Sequence, residues 1–130
     1  MSIKKPKANE KLKILCVDDA RCMLQTLTII LRDEYEVLIL EKATHVESFL
    51  KNTAPDLFLI DYKMPDINGF ELIPIIRKFD RHKNTPIIIV TSESTAECVK
   101  EAISLGACDF ISKPVQAALL KEKVAKHIKK

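Results

Sequence analysis

Residues 14–19 read Ile14-Leu15-Cys16-Val17-Asp18-Asp19, four apolar residues in a row followed at once by two acids. An apolar run without polar alternation suits a strand buried on both faces, the condition of a parallel sheet covered by helices. The run recurs as Val37-Leu38-Ile39-Leu40, Leu57-Phe58-Leu59-Ile60, Ile87-Ile88-Ile89-Val90 and Phe110-Ile111. Between the runs lie helical spacings. Met23, Leu27, Ile30 and Leu31 form one, Ala96, Val99 and Ile103 another, and residues 44–51 a weaker one. A terminal helix is expected from Val115 to about His127, with Leu120, Val124 and Ile128 four apart. Ser94-Thr95-Ala96-Glu97 has the capping-box spacing, and Gly106 stands where a left-handed C-terminal residue is wanted. Gly69 to Phe79 also looks helical but contains Pro74, which predicts a kink or an irregular first turn. Strand and helix alternate five times. With right-handed crossovers this gives an α/β fold, a three-layer, doubly wound (βα)5 domain around a five-stranded parallel sheet.

The composition agrees with one soluble globular domain. The chain has 130 residues, 47% of them hydrophobic and 30% charged, enough for a core without staples. Its two glycines, Gly69 and Gly106, stand too far apart for a phosphate-cradling or dinucleotide-binding loop. The net charge of +3 is unevenly spread. Residues 1–13 and 119–130 together hold ten lysines against two glutamates, so the stretch between them is acidic by five charges. An acidic body with 5% aromatic residues argues against direct nucleic-acid binding, and the lysine-rich ends read as solvated tails over 1–11 and 128–130. Cys16, Cys22, Cys98 and Cys108 form no CxxC pair and read as small buried hydrophobes in a reducing cytoplasm. His45, His82 and His127 read as isolated surface residues. No apolar run approaches a membrane span, so a cytoplasmic location with no membrane partner is expected.

The chemistry lies at the carboxyl end of each run. The first ends in Asp18-Asp19, the third in Asp61, the fourth in Thr91-Ser92, and the fifth passes through Ser112 into Lys113-Pro114. In an open parallel sheet those carboxyl ends share one edge, where ligands bind at the topological switch point. Glu41, next after the second run, is expected outside the cluster. Converging carboxylates repel one another unless a cation bridges them, and an all-oxygen set selects a hard ion, here Mg²⁺. Thr91 adds a hydroxyl for a phosphoryl oxygen and Lys113 a mobile positive charge. A carboxylate so placed can form an aspartyl phosphate, and the set reads as a phosphoryl acceptor. Taken singly, each residue has a plainer reading. Asp18 and Asp19 could cap the following helix, Asp61 could be a turn residue, Lys113 a solvated charge and Phe110 a core aromatic. The joint occurrence, each residue at the end of its own strand, decides for the acceptor.

These motifs resemble the receiver domain of two-component response regulators across residues 12–127. They are Ile14 to Asp19, Leu59-Ile60-Asp61-Tyr62-Lys63-Met64-Pro65-Asp66-Ile67-Asn68-Gly69, Ile87 to Ser92, and Asp109-Phe110-Ile111-Ser112-Lys113-Pro114. The resemblance implies the flavodoxin-like strand order 2-1-3-4-5. It implies that Asp61 accepts the phosphoryl group, that Asp19 and Asp61 bind Mg²⁺ with Asp18 helping through water, and that the Lys63 carbonyl completes the protein ligands. It further implies that Lys113 contacts the phosphoryl group and precedes a cis bond to Pro114, and that Thr91 and Phe110 form a switch pair. The readout would be the surface of the fourth helix, fifth strand and fifth helix. The donor would be a sensor histidine kinase or histidine phosphotransfer protein. The output would be a downstream protein or a fused domain, and a homodimer formed on phosphorylation stays open.

Lys63 and Glu93 stand two residues after Asp61 and Thr91, where they either pair across the site's mouth and slow loss of the acyl phosphate or remain two solvated charges. The rival readings are a haloacid-dehalogenase-like phosphatase with Asp61 as nucleophile, a flavodoxin-like binding module, and a phosphorylation-independent scaffold. The first rival wants an acid two residues after the nucleophile, where Lys63 stands; the second wants a phosphate loop that is missing; the third is disfavoured because every key position is filled.

Overall fold

A computed structural model describes residues 11–93 and 95–128. The five apolar runs form β1 (Lys13–Val17), β2 (Glu36–Leu40), β3 (Leu57–Asp61), β4 (Ile87–Thr91) and β5 (Asp109–Ser112). All neighbours pair in parallel, in the order β2-β1-β3-β4-β5. The helices are α1 (Arg21–Leu31), α2 (Val46–Leu50, preceded by a 3-10 turn at Ala43–His45), α3 (Gly69–Arg77), α4 (Ala96–Leu105) and α5 (Ala117–His127).

Successive side chains of a strand point to opposite faces, so each strand supplies two cores. Leu15, Val17, Phe58, Ile60, Ile87 and Ile89 meet the helices α2, α3 and α4. Ile14, Cys16, Leu57, Leu59, Ile88 and Val90 meet Leu24, Leu27 and Leu31 of α1 and Leu120 and Val124 of α5. Continuous burial holds for β3 and β4 and for all of β1 but its first residue. The expectation of two buried faces fails at the margins: β2 leaves Ile39 49% exposed, and β5 buries only Ile111. An edge strand has a neighbour on one side only, so its covering layer is incomplete.

Other departures have similar causes. In α1 the buried stripe runs through Leu24, Leu27 and Leu31, with Met23 and Ile30 only half-buried. In α4, which sits over β5 and beside α3, only Ala102 is buried, while Ile103 is 48% exposed and Ala96 is exposed too. That helix starts one residue later than expected. Thr95 is its cap, its side chain accepting from the Cys98 N–H at 3.2 Å, and Ser94 lies outside the described residues. Gly106 ends it in the left-handed region at φ 114°. The box itself occurs at α3, where Asn68 accepts from the Glu71 N–H at 2.9 Å and Glu71 accepts from the Asn68 N–H at 3.3 Å. The first turn of α3 is thus closed rather than irregular. The helix continues past Pro74, whose missing N–H would have served the Phe70 carbonyl. Of the cysteines only Cys16 is buried; Cys98 and Cys108 are half-buried and Cys22 is exposed. His82 is no surface residue, being 1% exposed with Nδ1 2.8 Å from the Thr85 hydroxyl and the ring edge-on to Phe58. The lysine-rich tails fall mostly on residues 1–10 and 129–130, outside the described residues.

Candidate functional site

The parallel winding brings the C-terminal ends of β1, β3, β4 and β5 side by side. Asp61 is the last residue of β3 and Thr91 the last of β4, with Asp61 in register with Val90 and Thr91 with Ser112. The Lys113 N–H donates to the Thr91 carbonyl at 2.8 Å, and the Lys113-Pro114 peptide is cis, as expected. Gly69 admits α3 close to this edge. Its N–H donates to the Tyr62 carbonyl at 2.8 Å, and a Cβ there would stand 2.7 Å from the Asp61 carbonyl oxygen.

Oxygens of Asp18, Asp19 and Asp61 lie within 4.8 Å of one another. Lys113 Nζ donates to Asp18 Oδ2 at 3.2 Å and to Asp61 Oδ1 at 3.1 Å. Asp18 and Asp61 are buried, at 1% and 5%, while Asp19 is exposed. Asp18 also accepts from the Ala20 N–H at 2.9 Å, closing the turn into α1, whose cap residue Ala20 has no capping side chain. Asp18 therefore does not cap α1 itself; it closes the turn before the helix and also lies in the acidic cluster.

Burial pushes the Asp61 carboxyl above its ordinary range. Asp18 and Asp19 add to this and Lys113 opposes it. Burial alone would lower Lys113, but its bonds and proximity to Asp61 and Asp18 raise it overall, so it remains a cation. Three carboxylates against one ammonium leave an excess negative charge. The donor set is all oxygen, which fits a hard divalent ion such as Mg²⁺.

Thr91 is 5% exposed, and its hydroxyl accepts from the Glu93 N–H at 2.9 Å. It lines a pocket between β4 and α4 together with Tyr62, Cys98, Ala102 and the half-buried Phe110. Across the mouth Lys63 Nζ forms an ion pair with Glu93, which raises the Lys63 pKa. The reading of these two as independent solvated charges is thereby overturned. Glu41 stays out of the cluster, held by Arg21 at 2.7 Å.

One group was not singled out from sequence. Asp109 opens β5 and accepts from Lys123 Nζ at 3.0 Å, from His127 Nε2 at 3.0 Å and from the Phe110 N–H at 2.8 Å. His127, like His82, is not an isolated surface residue. The signal available was the four-residue spacing of Lys123 and His127, which sets both on one face of α5.

A 2-1-3-4-5 sheet with acids, a threonine and a lysine at its C-terminal edge defines a class, and the chain belongs to the response regulator receiver domain family, whose model matches residues 14–125. It is 32% identical over 120 residues to chemotaxis protein CheY-3 of Vibrio cholerae, covering 91% of this chain and 92% of that one. It is 31% identical over 109 residues to protein-glutamate methylesterase/protein-glutamine glutaminase 3 of Geobacter sulfurreducens, covering 82% of this chain but only 29% of that one. The chain thus spans about three-tenths of the length of such methylesterases. Among solved structures, Vibrio cholerae CheY4 crystallised at low pH superposes with a TM-score of 0.87 at 27% identity, covering 91% of this chain and 99% of that one. Among the described residues no helix is long and apolar enough to cross a membrane.

Proposed function

We propose that this chain is a phosphoacceptor switch in two-component signalling, with Asp61 as the acceptor. The observation that carries the reading is the convergence of Asp18, Asp19 and Asp61 on one sheet edge with Lys113 bridging two of them. A carboxylate oxygen of Asp61 attacks the phosphorus of a phosphohistidine on a sensor kinase or phosphotransfer protein. The new O–P bond forms as the P–N bond breaks, and the released imidazole takes up a proton. Asp19, Asp61 and the Lys63 carbonyl would hold Mg²⁺, with Asp18 assisting through water. When bound, the ion supplies charge neutralisation for the phosphoryl oxygens. Lys113 exchanges its carboxylate contacts for a phosphoryl oxygen and so keeps positive charge at the acceptor.

The added phosphoryl oxygens draw the Thr91 hydroxyl away from the Glu93 N–H. The space it leaves adjoins the pocket that Phe110 already lines, so phosphorylation favours a Phe110 turned inward. The altered surface is that of α4, β5 and α5, presented to a downstream protein, a fused output domain or a second copy of the chain. The unit acting in this way is residues 12–127, working in the cytoplasm without direct contact to nucleic acid. The Lys63–Glu93 pair obstructs hydrolytic water; exposed as it is, it adds little to stability, so its role is kinetic.

Incubation with acetyl phosphate and Mg²⁺ tests the assignment. The parent takes up about one phosphoryl group in an acid-stable, hydroxylamine-labile form, and Asp61→Asn takes up none while keeping its circular dichroism. Undiminished uptake by Asp61→Asn overturns it, and sustained turnover of a generic phosphate ester would favour the phosphatase reading.

A further inference from the structure

Lys123 is unusual for a lysine on a terminal helix. Its side chain is only 22% exposed. Its ammonium lies 5.0 Å from the centre of the Phe110 ring, donates to the Phe110 carbonyl at 2.6 Å, and is steered by Asp109 Oδ1 at 3.0 Å. Asp109 in turn accepts from the Phe110 N–H at 2.8 Å and from His127 Nε2 at 3.0 Å. Burial would raise the Asp109 carboxyl, but these donors bring it below its ordinary range, so it is anionic at neutral pH and holds Lys123 in place. Phe110 is thus gripped at its ring, its carbonyl and its N–H by one connected set of groups, on a strand at the sheet edge.

We propose that Lys123, positioned by Asp109, is a clamp that keeps the Phe110 ring out of the pocket beside Thr91 and Ala102 in the unphosphorylated protein, and so sets the resting bias of the switch. The proposal rests on the reading of Phe110 as the switch aromatic. A ring over which a cation sits gains attraction from its own π face. An inward turn toward α4 forfeits that contact, while the backbone bonds to Lys123 and Asp109 keep β5 in place. The clamp therefore acts on the ring rather than on the strand, and it lowers the inward population without blocking it.

The test uses the whole chain and its Phe110 ring NMR signals, assigned by comparison with Phe110→Leu. In the parent, beryllium fluoride with Mg²⁺ defines the signal position of the activated form. In unphosphorylated Lys123→Met, which keeps an aliphatic stem without the charge, the ring signals move toward that position, corresponding to a three- to fivefold rise in inward population, roughly the size of an exposed cation–π contact. Asp109→Asn moves them the same way by less, and Lys123→Arg restores the parent position. Ring signals in Lys123→Met that coincide with the parent's overturn the clamp, as does failure of Lys123→Arg to restore them. The phosphoacceptor reading fails separately, by absence of acetyl phosphate uptake in the parent; in that case Lys123→Met ring signals that coincide with the parent's still overturn the clamp.

Discussion

Strand β4 is entered just after Thr85 and ends at Thr91, and the polar groups at its two ends are used in opposite ways. Below the strand, Arg77 donates to the carbonyls of His82 at 2.7 Å, Thr85 at 2.6 Å and Gly106 at 2.7 Å, tying the end of α3 to the segments entering β4 and β5. Arg81 caps the Leu50 carbonyl at the end of α2. These donors are spent on the protein's own backbone. Above the strand, three acids converge with one lysine bridging two of them, and the Thr91 hydroxyl is held by Glu93 alone, accepting from its N–H at 2.9 Å and donating to its carbonyl at 3.4 Å. One end is braced by charged donors on backbone carbonyls, although His82 Nε2 there is buried without a hydrogen-bond partner. The other carries repulsion that a cation and a phosphoryl group would relieve, in keeping with the trade of stability for function at sites.

Substitutions at the two ends should therefore change stability with opposite signs. Arg77→Met is expected to cost the most, about 3 kcal/mol in urea unfolding, because it leaves three carbonyls short of a charged donor. A cost below about 1 kcal/mol would mean the lower end is not the brace described. Next comes acid sensitivity. Burial, then the charges of Arg81 and Arg77, lowers the His82 pKa to about 4, against an ordinary value of 6.5. The unfolded chain takes up this proton more readily than the folded one, so the stability due to neutral His82 is complete above pH 6.5 and is lost as pH falls toward 4. About 2 kcal/mol should be gone by about pH 5, and His82→Gln should flatten that part of the profile. The smallest effect has the reverse sign. In metal-free buffer Asp19→Asn should raise stability by about 0.5 kcal/mol by removing repulsion from Asp61, while weakening Mg²⁺ binding seen by titration. A destabilised Asp19→Asn would erase the contrast between the two ends.

The strands and the site were legible in the sequence for a local reason. A residue that ends an apolar run keeps its place at the strand's end, so the topology alone gathers Asp18, Asp61, Thr91 and Lys113. Features that depend on distant partners were not legible. Nothing near His82 in the chain announces the Phe58 ring edge, and Ile103 has helical spacing whether or not a layer covers it. The α4 cap fell to Thr95 because both Ser94 and Thr95 are competent caps, and spacing to Glu97 favoured the wrong one. Asp109 looked like one more strand-entry acid until α5 supplied Lys123 and His127. The pairing of Lys63 with Glu93 was within reach because both positions are counted from strand ends.

The bond from Lys113 to Asp18 joins residues 95 positions apart, across nearly the whole domain. Closing so long a loop carries an entropic cost that no early local contact offsets. A chain still emerging from the ribosome carries Asp18, Asp19 and Asp61 well before it carries the lysine that bridges two of them. The proposed chemistry would thus coincide with completion of the domain, and a product that stops before β5 would carry Asp61 without the lysine that contacts it.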